Sequence, residues 1–163
     1  MSIRATIIGG ITCQETLDTG VDASSTPTIA HSAFNFSHTV NATTTITGTK
    51  ISADNQALTA GAYTLDLTAC AKSGGTTQTL TGLKVRAYLF RAPLTNTGVI
   101  VITKGASNGL TIGSTALWKE ALNPGDKVVK WLDDGGETID GTHKTLDVTG
   151  TGAEAFDYEI IVG

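Results

Sequence analysis

Apolar and polar positions alternate along the second half of this chain, and turn-forming residues interrupt the alternation at short intervals. In the segment 83–90, Leu83, Val85, Ala87 and Leu89 fall on one side of an extended chain, and a mixed set of residues falls on the other. A period of two residues is typical of a strand that buries one face. This part of the chain is therefore predicted to form β-strands.

Segments of ordinary strand length carry this pattern, and turn residues such as those of 123–126 and 150–152 separate them. Residues that typically mark the starts and ends of helices are almost absent. The predicted strands cover residues 62–68, 83–90, 99–104, 115–120, 127–132, 144–148 and 155–162. Strands at this spacing predict an all-β fold, a β-sandwich or jelly roll of about seven to nine antiparallel strands.

The first third of the chain lacks this regularity and is rich in Thr, Ser and Asn. We therefore expect residues 1–57 to form an N-terminal arm with irregular strands, and residues 58–163 to form the core of the β-sandwich. A length of 163 residues fits one domain. The two parts are accordingly expected to belong to a single domain.

Isoleucines recur at the start of the arm. Ile3, Ile7, Ile8 and Ile11 are candidate anchors with which an arm that becomes ordered on assembly would hold a neighbouring subunit. An ordinary first strand explains the same residues, so both interpretations stay open. A second possible strand lies at 34–40, where aromatic residues occupy two alternate positions.

The charge of the chain argues against some partners. Charged residues make up 16% of the sequence and the net charge is −4, without any cluster of Lys and Arg. A protein that follows nucleic-acid phosphates needs a basic surface, so a nucleic-acid partner is not expected. A signal peptide and a membrane-spanning stretch are also missing from the pattern, which favours folding in a cytoplasm and no membrane partner. Cys13 and Cys70 form no C-x-x-C pair and are expected to be reduced and buried.

One segment has the spacing of a hydrolase motif. Gly105-Ala106-Ser107-Asn108-Gly109 matches G-x-S-x-G after an apolar run, and His143 follows beyond several Asp residues. A nucleophile elbow needs a helix after the serine, however, and the residues that follow are β-branched and interrupted by glycine. We therefore expect a hairpin turn at Asn108-Gly109, and no enzymatic activity.

Acidic residues cluster between Asp133 and Asp140, with Asp134 and Glu137 between them. Oxygen ligands within one turn suit calcium, but the spacing matches no EF-hand and Asp-Gly is common turn chemistry. The three histidines of the chain do not have the spacing of metal ligands. A plain turn is therefore the preferred interpretation, and neither a metal nor a cofactor is predicted.

Trp118 and Trp131 are candidates for contact with a partner, because indole rings anchor interfaces and stack on sugars. Strand parity does not decide where either ring points. Core packing, a subunit interface and a glycan platform therefore stay open for both. Together with the four isoleucines of the arm, they make up the candidate interface residues.

Four segments resemble small structural proteins of tailed bacteriophages, of the capsid decoration or cement type. They are residues 82–87, 101–109, 122–126 and 144–152, and their motifs are turn and strand signatures. The resemblance implies a β-sandwich or jelly roll on the outside of an icosahedral head, commonly a homotrimer, that binds the major capsid protein and stabilises the expanded shell. It implies a virion protein assembled in the host cytoplasm, without catalytic residues or a small-molecule substrate.

Two other functions fit the same pattern. One is a carbohydrate- or receptor-binding β-sandwich of a phage tail or fibre, which is the second alternative. The pattern also fits a small jelly-roll subunit that builds the shell itself.

Overall fold

In the described part of the chain, every regular element is a β-strand. The computed structural model describes residues 4–16, 28–41, 47–72, 76–113, 117–133 and 136–163. No helix there is long and apolar enough to cross a membrane. In chain order the strands are β1 (Arg4–Thr16), β2 (Thr28–Asn41), β3 (Lys50–Ala57), β4 (Ala62–Asp66), β5 (Cys70–Lys72), β6 (Thr76–Gln78), β7 (Val85–Arg91), β8 (Ile100–Lys104), β9 (Lys119–Leu122), β10 (Lys127–Trp131), β11 (Thr145–Thr149) and β12 (Ala155–Val162).

Eight of these strands form two four-stranded antiparallel sheets. The front sheet has the order β10-β7-β12-β3, and the back sheet has the order β4-β11-β8-β9. The inward side chains of both sheets belong to one buried cluster, so the sheets pack face to face as a sandwich. The predicted all-β sandwich is confirmed. β1 and β2 pair with each other as a two-stranded sheet, and so do β5 and β6.

Most strands that follow one another in the sequence lie in opposite sheets. β7 and β8 are one such pair, and β11 and β12 are another, whereas β8 and β9 are neighbours in the back sheet. The turn from β9 to β10 shows how the chain crosses over. The Asp126 amide donates to the Asn123 carbonyl at 2.9 Å, and Gly125 has a φ of 89°, a value that glycine adopts without strain.

The core is made where the central strands of the two sheets face each other. Tyr88, Phe90, Phe156 and Ile160 point inward from the front sheet, and they meet a row of branched residues from the back sheet. The buried members contributed by β8 and β11 are Ile100, Ile102, Leu146 and Val148. Aromatic rings on one side and branched side chains on the other fill the space between the sheets, which favours this pairing of faces.

All seven predicted strands overlap with strands that form, namely β4, β7, β8, β9, β10, β11 and β12. β9 begins at Lys119 and not at 115, and residues 114–116 lie outside the described ranges. The strand considered at 34–40 is part of β2. β3, β5 and β6 were not predicted, because β3 carries polar residues on both faces and the other two have three residues each.

Truncating Phe90 should destabilise the protein more than truncating an exposed apolar residue. Phe90 is fully buried, so Phe90→Ala should lower the free energy of unfolding by about 3–5 kcal/mol through lost contacts and the cavity it leaves. Leu94 is 81% exposed, and Leu94→Ala should change it by less than about 0.5 kcal/mol. Urea unfolding followed by circular dichroism measures both. Equal losses would contradict the proposed core.

Candidate interaction surface

The outer face of the front sheet, which points away from the core, carries an apolar row at one end. Register places Trp131 of β10 beside Ala87 of β7, Ala87 beside Ile161 of β12, and Ile161 beside Ile51 of β3. Ala87 and Ile161 are 1% and 4% exposed although they lie outside the sandwich core. We call these four residues the apolar row.

The face becomes charged towards its other end. The next row across the sheet holds Val129, Leu89, Glu159 and Ala53, and Val129 is 44% exposed. The third row holds Lys127, Arg91, Asp157 and Asn55. There Arg91 forms a salt bridge with Asp157, which also accepts a hydrogen bond from Asn55 at 2.5 Å. The outer face is thus apolar at one end and polar at the other.

The hairpin of β1 and β2 lies next to the apolar end. Thr6 and Ile8 of β1 line a cavity of about 210 Å³ together with Leu89, Val129 and Ile161 of the front sheet. Ala87, Tyr88 and Glu159 complete its wall. Within the hairpin, Ile8 lies opposite Ser37, and the hydroxyls of Thr6 and Thr39 are 3.3 Å apart.

The space between hairpin and sheet is poorly filled. Ile8 is 77% exposed although it lines the cavity wall. Protein interiors are close-packed, and a gap bordered by Leu, Val and Ile side chains forfeits the contacts that would fill it. In the single chain, the hairpin therefore leaves an apolar gap and an exposed isoleucine at the same place.

The candidate interface residues that the sequence suggested do not come together at one site. Ile3 lies outside the described residues. Ile7 and Ile11 lie in β1, where they are opposite His38 and Ala33, and a register shift separates Ile11 from Gly9. Ile8 lies at the gap. Trp131 lies in the apolar row, half-buried, and its Nε1 donates to Asp133 Oδ1 at 2.9 Å.

Trp118 lies in the core. It is 6% exposed, and its Nε1 donates to the Tyr88 hydroxyl at 2.9 Å, which in turn donates to Glu120 Oε1 at 2.6 Å. Burial and the neighbouring Glu120 carboxylate raise the pKa of Tyr88. The phenol therefore stays neutral and serves as both acceptor and donor in this chain of hydrogen bonds. Trp118 has little surface to offer to a partner.

The G-x-S-x-G segment forms a tight turn against the start of β11. The Gly105 amide donates to the Thr145 carbonyl at 3.0 Å, and Thr145 Oγ1 donates to the Ser107 carbonyl at 2.5 Å. A Cβ atom at Gly105 would collide with the Thr145 side chain. Asn108 has a φ of 53°, so a turn forms where it was predicted. It is not the tight turn of a β-hairpin, since β8 and its antiparallel neighbour β9 are joined by the long segment 105–118, of which this turn is one part.

The described acidic residues of the segment 133–140, Asp133, Glu137 and Asp140, accept hydrogen bonds within the protein. Glu137 Oε2 accepts from the Thr111 amide at 2.6 Å, and Asp140 Oδ1 accepts from the amides of Thr142 and His143 at 2.6 and 2.8 Å. Asp134 lies outside the described residues. Among those that are described, no three His, Cys, Asp or Glu side chains are grouped to hold a metal ion.

The surroundings of Glu137 and Asp140 favour the charged forms of these two carboxylates. Hydrogen bonds from Thr142 and His143 lower the pKa of Asp140. Partial burial raises the pKa of Glu137, but the bonds from Thr111 and the charge of Lys104 outweigh it and leave the pKa below its ordinary value. Elsewhere, Cys70 is a free, buried thiol, whose pKa burial raises. Cys13 lies in β1 opposite His31.

The apolar row could not be found in the sequence, because its members come from four strands that are distant along the chain. Trp131 was singled out as an aromatic residue, and Ile51 falls in a strand that was not predicted. Alternation did place Ala87 and Leu89 on one side of their strand. It did not show that this side is the outer one.

Acid should destabilise the turn that contains Glu137 and Asp140. A carboxylate with a depressed pKa contributes stability above its unfolded pKa, and this contribution is lost as the pH falls through the folded pKa. The melting temperature should therefore fall between about pH 7 and about pH 3. Asp140→Asn should lower the melting temperature at pH 7 and make this fall smaller. Scanning calorimetry at both pH values measures the melting temperature of each protein. An equal fall in the wild type and in Asp140→Asn would contradict the contribution of Asp140 to acid sensitivity.

No protein-family model, curated protein or solved structure matches this chain. The function of the surface is therefore inferred from its own side chains and geometry.

Proposed function

We propose that this protein is a non-enzymatic structural component of a tailed-bacteriophage virion, which binds the outside of the capsid and stabilises it as a decoration protein. The observation that carries the proposal is the apolar gap between the hairpin and the front sheet, with Ile8 exposed beside it. A capsid subunit is the proposed partner at this place. The resemblance of the four segments to decoration proteins supports the same function.

Burial of this surface on a partner would remove the unfavourable exposure of its apolar side chains to water. Each Å² of apolar surface removed from water contributes about 25 cal/mol, and Ile8, Val129 and Trp131 all keep exposed area. The salt-bridged pair of Arg91 and Asp157 lies two rows from the apolar row, so the charge that a partner has to pair at the gap is that of Glu159 in the cavity wall.

The hairpin itself is suited to completion by a neighbour. A two-stranded ribbon is marginally stable in water, and each of its outer edges presents unpaired backbone groups. A strand of the capsid protein added to β1 or β2 would pair these groups. Many copies on one shell would add to the avidity of the contact without requiring strong binding at each site.

We expect the purified protein to be a homotrimer in solution. A trimer matches three-fold positions of an icosahedral shell and presents three hairpins together. Light scattering behind a sizing column gives the absolute mass. A stable trimer would support the decoration function, whereas a strict monomer would contradict the expected oligomer.

Placing a charge at the gap should abolish capsid binding and leave the fold intact. Ile8 is exposed, so Ile8→Glu should change the melting temperature little, but a buried unpaired carboxylate at the contact should weaken binding by about a hundredfold or more. Co-sedimentation with expanded empty shells, assembled from the major capsid protein of the same phage, measures the bound fraction.

Leu94→Glu is the matched control, because Leu94 is equally exposed but lies in the turn after β7, beyond the charged row. This variant should decorate shells like the wild type. Full decoration by the Ile8→Glu protein would exclude the hairpin surface as the contact. Closed shells assembled from this chain alone would instead support the function of a lattice-building subunit.

A further inference from the structure

A second concave site lies at one edge of the sandwich, away from the hairpin. β3 is the edge strand of the front sheet and β4 is the edge strand of the back sheet, and the two follow each other in the chain. Between them opens a cavity of about 550 Å³, which β5 and β6 border. This volume lies within the range of about 300–1,000 Å³ that is usual for small-molecule sites. We call it the edge cleft.

The inward side of β3 is polar where a sandwich interior is normally apolar. Ser52, Asp54 and Gln56 alternate on that side, in register with the inward residues of β12, and Asp54 lies beside Tyr158. Inward charges on an edge strand can serve to prevent pairing with other chains. Preventing such pairing requires only one charge. It therefore does not explain why the successive inward residues of β3 are all polar beside an open cavity.

Tyrosines supply the aromatic part of the cleft. Tyr63 of β4 is partly exposed and packs edge-to-face on Phe156, with ring centroids 5.6 Å apart. Within the described part of the chain, its hydroxyl has no protein hydrogen-bond partner. Asp54 lies near enough to add to the effect of burial in raising the pKa of Tyr63. Tyr158 lies deeper and accepts a hydrogen bond from Ser52 Oγ at 3.3 Å.

The wall formed by β5 and β6 is fixed in place before any ligand arrives. Gln78 Nε2 donates to the Ile51 carbonyl of β3 at 2.5 Å and to the Ala71 carbonyl of β5 at 3.1 Å. This side chain therefore ties the small hairpin to the edge of the front sheet. A preformed wall reduces the entropy that a ligand loses in ordering its site.

The charges of the cleft favour a neutral ligand. Of the two carboxylates in its lining, Asp66 is already bonded to Lys144 at 2.8 Å, and Asp54 accepts from Gln56 Nε2 at 2.6 Å. Lys72 supplies a positive charge to the same lining. A cation would meet Lys72, and an anion would meet Asp54, whereas a neutral molecule is repelled by neither.

We infer that the edge cleft binds a neutral saccharide. A sugar ring has an apolar C–H face, which suits the ring of Tyr63, and hydroxyls that suit a carboxylate acceptor, an amide and a free phenol. Asp54, Gln56 and the Tyr63 hydroxyl offer these groups within one cavity, and Thr76 and Thr77 add hydroxyls from β6. The site does not depend on the capsid-binding function, since it uses other residues.

Saturation-transfer NMR with lactose, maltose, N-acetylglucosamine and L-fucose, each mixed with the full chain, tests the inference. At least one of these saccharides should receive saturation, and its titration should shift the amide signals of β3, β4 and β5 in ¹⁵N spectra. Tyr63→Ala should abolish the transfer. Asp54→Asn, which keeps the shape of the side chain, should weaken the affinity by about tenfold through the lost charged acceptor.

Asn55→Ala is the matched control, since Asn55 is the next residue of β3 and lies on its opposite side, where it bonds to Asp157. Its affinity should equal that of the wild type. Absence of transfer to all four saccharides would overturn the inference, and so would binding that Asp54→Asn leaves unchanged. Binding of choline or spermidine in place of the sugars would show that the cleft selects a cation and would overturn it as well.

Discussion

The packing of β7 and β12 against β8 and β11 is the constraint on which the rest of the structure depends. Side chains alternate strictly between the two faces of a strand, so burying Tyr88 and Phe90 inward forces Ala87 and Leu89 outward. Which side chains lie on the outer face of the front sheet, those of the apolar row included, is thus a direct consequence of the core. A shift of one residue would exchange the two faces and expose the aromatic rings.

The hairpin of β1 and β2 adds a second layer on the outer face of the front sheet, but the single chain packs this layer incompletely. The hairpin of β1 and β2 borders the apolar row but leaves a gap, and Ile8 stays exposed beside it. Incomplete packing of this kind is typical of a surface that is finished on assembly.

β3 belongs to both surfaces, because one side of the strand lies on the outer face with the apolar row and the other side faces the edge cleft. Ile51, Ala53 and Asn55 lie on the outer face of the front sheet. Ser52, Asp54 and Gln56 lie on the inward side, and Asp54 and Gln56 line the edge cleft. A partner that covers the apolar row would leave the cleft open at the edge of the sandwich. The two surfaces can therefore be occupied independently of each other.

The sequence by itself determined the all-β class and the approximate position of most sandwich strands, because alternation and turn residues act within a few positions along the chain. It did not determine β3, whose polar inward side hides the alternation. Sheet order, the partners of Trp131 in the apolar row, the buried position of Trp118 and the edge cleft were decided by the tertiary structure. Each depends on which strands become neighbours, and pairing between residues as distant as Ile51 and Ile161 is set by the packing of the whole core.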